Sequence, residues 1–478
     1  ITDDNAIYVT LRLPSLVVGS VGGGTNLPRQ KECLELIGCA GPGCAHKLAE
    51  IITAFCLALD ISTLSAIASD QFARAHEKLG RNRPVNWLKL GDLNSDFFQR
   101  AMQNNIHTSG LELDSVQALT LEQTGSSIIT ELTAHKVNKL VGHFPFQLTF
   151  TDSKLVKKVM VKVKPLDDEV ILMFNSMAAM CDARLAHAYN EFKNALGFKA
   201  CHQRELVVMS QTDERFVKYA PLTYHTWQDE SREAYVLVQE LMEDMELMDS
   251  ADDTSGWTKR HLQAAITGIA EVHSIWYGKE AQLLNKPWLK DAPNRENMLA
   301  KTRLWEMLGA HSVEEFPEWF SEQDGQRFRD RLYSLTDWYA EIDAMPKTLI
   351  HNDFTPRNIA FRRIDGQLRL CAYDWELATV HLPQHDLAEL LVFTLQPDFD
   401  LNDLEYYIEL HRLELAKYSE QVIDAQQWRR GFTLALWDIV VNRMPMYNMA
   451  HTFRHYKFMD RVQATFRRLL DVVTQEAS

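Results

Sequence analysis

Three residues late in the chain have the types and the spacing for phosphoryl transfer: Asp353, Asn358 five positions on, and Asp374 sixteen positions after that. An alcohol that attacks a phosphorus needs a carboxylate within hydrogen-bond reach to orient it and take its proton. A triphosphate needs a hard divalent cation held by oxygen ligands. Asp353 is therefore read as the general base, and Asn358 and Asp374 as ligands of Mg²⁺. His351 is expected to scaffold the loop by hydrogen bonds. Two apolar runs frame these residues, Ile359 to Phe361 and Leu368 to Tyr373, with the turn pair Asp365-Gly366 between them. That pattern predicts a hairpin carrying the base loop at one end and a metal-ligand Asp at the other.

The segment HNDFTPRN (351–358) followed by YDWELA (373–378) resembles the kinase-like phosphotransferases of small molecules, the group of aminoglycoside phosphotransferases, choline kinases and homoserine kinase-like enzymes. Their pattern is His-Gly-Asp, a short run ending in Asn, a hydrophobic strand and an Asp. His351, Asp353, Asn358 and Asp374 match it, and Asn352 stands where the Gly would be. The resemblance implies ATP and Mg²⁺ as cofactors, a second-metal role for Glu376, and a helix-anchoring role for Asp386 in QHDLAELL. Upstream, the alternating run Val159 to Lys162 has the form of the kinase Lys strand. Lys162 would pair with phosphate, and Lys164 on the same side is the runner-up. The resemblance implies a helix Glu paired with that Lys. Glu191 is assigned the role, with Glu205 competing. It also places the hinge in YVLVQELME (235–243), where backbone groups from Glu240 to Met242 would meet adenine. Gly142 sits where a nucleotide-covering loop would turn. His273 and the Trp residues of 256–345 are read first as core groups.

Bulk properties bound the rest. A chain of 478 residues accommodates two or three domains, and 46% hydrophobic with 24% charged residues is ordinary globular composition. A net charge of −15 argues against a nucleic-acid surface. The seven Cys follow no metal spacing and are read as reduced thiols of a cytoplasmic protein. The chain opens at Ile1 without a Met, as a fragment, processed chain or trimmed product would. The most apolar stretch, 48–68, contains Glu50 and Asp60 and is read as a buried or partner-facing helix, so no membrane span is expected.

Near the start, GSVGGGT (19–25) has three consecutive glycines able to let backbone approach a ligand closely. With its flanks, over about 8–84, the stretch resembles the C-terminal segment of the catalytic domain of 3-hydroxy-3-methylglutaryl-CoA reductase. The resemblance implies that 19–25 lies at a nicotinamide-cofactor site, that His76 corresponds to the family's late His, which protonates the leaving thiolate, and that Asn82-Arg83 matches a terminal pair. The family's catalytic Glu, Lys and Asp lie upstream of this segment and have no counterpart in these 478 residues. A hydride-transfer site needs a polarising cation near the carbonyl oxygen, so it is incomplete here.

The expected fold class is α+β: a two-lobed protein-kinase-like fold, with a small β-rich lobe and a larger helical lobe, preceded by a mostly helical partial reductase-like segment. The expected boundaries are 1–90 for that segment, 91–129 for a junction, 130–243 for the small lobe and 244–478 for the large one. The expected function is ATP-dependent phosphorylation of a hydroxyl on a small molecule. Two alternatives are a non-catalytic nucleotide-binding or scaffold module, and part of a bifunctional reductase–kinase acting on mevalonate or a related alcohol. The expected partners are the small-molecule substrate and, through residues 1–90, a second copy or an upstream reductase-like partner.

Overall fold

The computed structural model describes residues 7–69, 71–72, 85–103, 105, 108–120, 139–151, 155–289 and 291–475. The chain divides into two compact units, Ile1–Val85 and Asn86–Ser478.

The first unit is a glycine turn and two helices. Gly22 and Gly23 have φ of 84° and 53°, which L side chains rarely adopt, and Thr25 Oγ1 donates to Gly22 O to close the turn. A short helix, Pro28–Leu36, starts on Pro28, whose fixed φ suits a first helical position. It stops where Gly38 turns left-handed at φ 64°. A second helix, Ala45–Ala68, follows. By length and composition alone it could cross a membrane, with mean hydropathy 2.0 over its most apolar stretch and none of that stretch buried. Phe55, Leu59, Leu64 and Ile67 stand exposed on it. His76, Asn82 and Arg83 lie outside the described residues.

The second unit has two lobes. The small lobe is one antiparallel sheet of five strands in the order β1-β2-β3-β5-β4: β1 Leu113–Ala118, β2 Gly142–Phe150, β3 Val156–Val163, β4 Thr223–Asp229 and β5 Ala234–Glu240. The two-residue period of a strand sorts its side chains. Phe146, Leu148 and Phe150 of β2 and Val159, Val161 and Val163 of β3 face one core with Leu88, Leu93, Phe97 and Phe98. Phe97 and Phe98 belong to a helix, Ser95–Gln103, laid on that face. The stretch expected to be a junction thus supplies a core helix and the edge strand β1. Apolar spacing shows that a helix packs, but not on which domain.

The large lobe is mostly helical. Its local strands form two small pairs: β6 Thr348–Ile350 with β9 Thr379–His381, and β7 Ile359–Ile364 with β8 Gln367–Ala372. The β7–β8 hairpin turns at Asp365 and Gly366, both at positive φ (50° and 77°), as an Asp-Gly turn demands. Residues 351–358 join β6 to β7, and Asp374 follows β8, so the hairpin holds the predicted residues beside one another.

Phe98 is fully buried against the sheet. In a chain of residues 86–478, Phe98→Ala is expected to lower unfolding stability by about 3–5 kcal/mol in a urea titration. A change under about 1 kcal/mol would place this helix outside the small lobe's core.

Candidate functional site

The loop between β6 and β7 is held by its backbone. Asn352 has φ 60°, in the left-handed region, which Asn tolerates better than most side chains. This is the position where the related pattern has Gly, so the substitution preserves the backbone conformation. The amide of Asn352 also donates to Leu377 O at 2.9 Å. Asp386, fully buried, accepts from His351 N at 2.7 Å, from Asn352 N at 2.9 Å and from the His273 ring at 3.0 Å. Burial works against its charge, but the hydrogen bond and charge of His273 and the backbone donor of His351 prevail and hold the carboxyl below its usual value. His351 donates Nε2–H to Tyr373 O at 2.8 Å, tying the loop to the strand that leads into Asp374. His273 is a core group that orients Asp386.

Asp353 ends the tight part of this loop. Its Oδ2 accepts from the Asn358 amide at 2.8 Å. Its Oδ1 accepts from the Tyr447 hydroxyl at 2.7 Å and the Arg443 guanidinium at 3.0 Å. Arg443 also donates to Asn352 O and to Glu389. Sequence reading missed Arg443 and Tyr447, which lie about ninety residues downstream. Arg443 closes a one-turn π-helix, Ile439–Arg443, a distortion that often marks functional positions. The one signal available was the pairing of an Arg and a Tyr four residues apart within an apolar run. Burial opposes the charge on Arg443, and Tyr447, Glu389 and Asp353 outweigh it.

Across from the loop, β3 points Lys162 into the site, and Lys164 follows it on the same side. Lys162 Nζ reaches Glu205 at 2.8 Å and Asp374 at 2.5 Å. Lys164 Nζ reaches the other oxygen of Glu205 at 2.6 Å and also pairs with Glu376. All five groups are buried. Burial alone would neutralise Asp374, but Lys162 and Lys164 hold its carboxyl well below the usual carboxylate range. Glu376, by contrast, is pushed up by burial and by Asp374. The helix Glu that meets Lys162 is Glu205, on the helix Cys201–Met209; Glu191 is exposed on the helix Ala183–Phe192 and makes no contact with Lys162, which corrects its assignment. The Cys201–Met209 helix buries seven of its nine residues between the lobes, so its Glu is the one carried inward.

The Glu240 side chain does not face a ligand. It accepts from Leu222 N and pairs with Arg362. Leu241 N donates to Lys158 O. Met242, just past β5, has a backbone N–H without an intramolecular partner among the described residues. Gly142 opens β2 opposite Val163, and residues 121–138, which join β1 to β2, lie outside the described residues.

Asn358, Asp374 and Glu376 offer a hard cation an all-oxygen ligand set, and carboxylate oxygens of Glu205, Asp374 and Glu376 lie within 4.8 Å of one another. The Lys162 ammonium already sits on one such oxygen, a position that suits a cation. A cavity of about 160 Å³ opens in front of Asp353 and Asn358, walled also by Phe174, Met298, Trp305 and Met446. A hydroxyl compound in it would meet Asp353 beside the cation site.

Residues 1–81 match the family described as hydroxymethylglutaryl-coenzyme A reductase, and residues 205–418 match the phosphotransferase enzyme family. The first segment is 58% identical over 80 residues to a 3-hydroxy-3-methylglutaryl-coenzyme A reductase of Aeropyrum pernix, covering 16% of this chain and 19% of that protein. Against the Methanocaldococcus jannaschii reductase it is 46% identical over 79 residues, covering 16% and 20%. The chain thus spans about a fifth of the length of these curated relatives. Among solved structures, an ethanolamine kinase of Plasmodium vivax superposes with a TM-score of 0.41 at 10% identity, over 82% of this chain and 95% of that one. The chain joins a reductase-like segment to a phosphotransferase-like domain.

Two outcomes follow from the ion network. Glu205→Gln is expected to raise the Michaelis constant for the phosphoryl donor at least tenfold, while Glu191→Gln leaves it unchanged; equal effects in steady-state kinetics would contradict the pairing. Because the folded pKa of Asp386 is depressed, its contribution is present above its unfolded pKa, about 4, and is lost as pH falls through the folded value. Asp386→Asn should therefore cost about 3 kcal/mol at pH 7 and flatten the acid limb of the stability curve in denaturant titrations.

Proposed function

We propose that residues 86–478 transfer the γ-phosphoryl group of ATP to a hydroxyl of a small molecule. The observation that carries this reading is the pairing of Asp353 with Asn358 on the wall of the cavity, together with the buried contact of Asp374 with Lys162. A binding module has no need of a carboxylate held in one position in front of its cation site.

In this reading Asp353 accepts the proton of the acceptor hydroxyl. The oxygen forms its bond to the γ-phosphorus as the bond to the ADP oxygen breaks, and the proton leaves later from Asp353. Tyr447 and Arg443 hold the carboxylate in one rotamer, so the hydroxyl meets a fixed acceptor. Lys162 exchanges Asp374 for phosphate oxygens and stays oriented by Glu205. Mg²⁺ held by Asn358 and Asp374 would neutralise the charge of the triphosphate. The Met242 backbone would meet the adenine edge.

The first unit supports a second proposal. Its exposed apolar helix face lies within the reductase match, and we read it as a surface that packs on the remainder of such a fold, with Glu50 and Asp60 set against a bilayer role. The seven unpaired cysteines suit a reducing compartment such as the cytoplasm.

Asp353→Asn is expected to leave ATP affinity within about threefold, by titration calorimetry, and to lower turnover by 10²-fold or more. Turnover near that of the unaltered chain would remove the base assignment.

A further inference from the structure

Several of the charged groups that line the cavity in front of Asp353 are already held by partners. Arg204 meets Asp291 at 3.1 Å. Arg443 meets Asp353 and Glu389. Glu376 meets Lys164, and Asp438 accepts from Asn442 and faces His385 at 3.5 Å. Lys301 has no such partner. It sits at the turn between the helices Arg295–Ala300 and Thr302–Glu315, with 5% of its surface exposed. Its ammonium donates to Ala195 O at 2.9 Å and lies 5.4 Å from the centre of the Trp305 ring. No carboxylate stands within 4.0 Å of it among the described residues.

A buried ammonium with one neutral acceptor is costly to keep charged. Burial pulls Lys301 down to about 8, only partly opposed by Asp291 and Asp438. Both the lysine and Asp353 line the same cavity. Its volume of about 160 Å³ is below the roughly 300–1,000 Å³ of clefts that take drug-sized ligands, so the acceptor is small. The same cavity wall includes Phe198, Met298 and Trp305. That lining suits a short carbon skeleton between two polar ends.

We propose that Lys301 receives a carboxylate of the acceptor, so that the substrate is a small hydroxy acid with its hydroxyl at Asp353. This rests on the phosphotransferase reading above and adds the substrate class to it. An ammonium with no carboxylate in contact selects for an anion, and an amino alcohol would place its ammonium against Lys301. The hydroxy acid gains a phosphoryl group on its hydroxyl oxygen, ATP becomes ADP, and the hydroxyl proton leaves through Asp353. 3,5-Dihydroxy-3-methylpentanoate belongs to this class and is one probe among several.

The test is ADP release from Mg-ATP by the full chain with three sets of acceptors: 3,5-dihydroxy-3-methylpentanoate and 4-hydroxybutanoate, their carboxamides, and ethanolamine with choline. The hydroxy acids are expected to exceed their amides in kcat/KM by about 30-fold, the factor for a desolvated charge pair of about 2 kcal/mol. Lys301→Met should raise the hydroxy-acid KM by a similar factor with kcat within threefold, and Lys301→Arg should restore most of it. A lysine that merely covers Trp305 and binds Ala195 O would leave the acid-to-amide ratio near one. Preference for the amides or amino alcohols overturns the inference and leaves the phosphotransferase reading standing. If no acceptor releases ADP and the chain binds no ATP, the phosphotransferase reading fails first and this inference fails with it. The acid–amide comparison on the unaltered chain decides the matter even if a Lys301 variant does not fold.

Discussion

Five buried charges between the lobes govern the rest of the second unit. Lys162 and Lys164 face Glu205, Asp374 and Glu376. Two positive and three negative groups leave one excess negative charge when all are ionised. A low-dielectric setting makes that excess expensive and a hard cation welcome. It also explains why two neighbouring carboxyls diverge, Asp374 held down by two ammoniums and Glu376 pushed up by burial beside it. The strand of one lobe, a helix wedged between the lobes and the segment after β8 in the other all meet at this network. Their relative placement fixes where a phosphate would lie.

Around that network the site is a set of fixed acceptors and donors. Asp386 pins the backbone of the base loop, and Asn352 adopts a conformation that most residues resist. Arg443 and Tyr447 then fix the carboxylate of Asp353 from a distant helix. Each of these contacts removes a rotational freedom before a substrate arrives, which is how an enzyme lowers the entropic part of a barrier.

What the sequence made legible was local. The base loop, the hairpin turn and Asp374 fall within twenty-five residues, so strand period and turn chemistry place them without reference to the rest of the fold. The lysine strand was legible for the same reason. The partner of Lys162 was not, because Glu191 and Glu205 both sit on helices. The difference is that one helix is buried between the lobes and the other presents its Glu to solvent. Arg443 and Tyr447 were hidden by their separation in the chain, and the helix holding Phe97 and Phe98 by an apolar pattern that names no partner. Long-range choice between equivalent local elements is a property of packing.

The most direct test of the central claim is a crystal structure of residues 86–478 with Mg²⁺ and a non-hydrolysable ATP analogue. The account predicts an oxygen of Asn358 and one of Asp374 at about 2.1 Å from the metal, Lys162 moved from Asp374 onto a phosphate, and Asp353 facing an open space in front of the γ-phosphate. Nucleotide bound elsewhere, or Asp374 still held by Lys162 with no metal beside it, would contradict it.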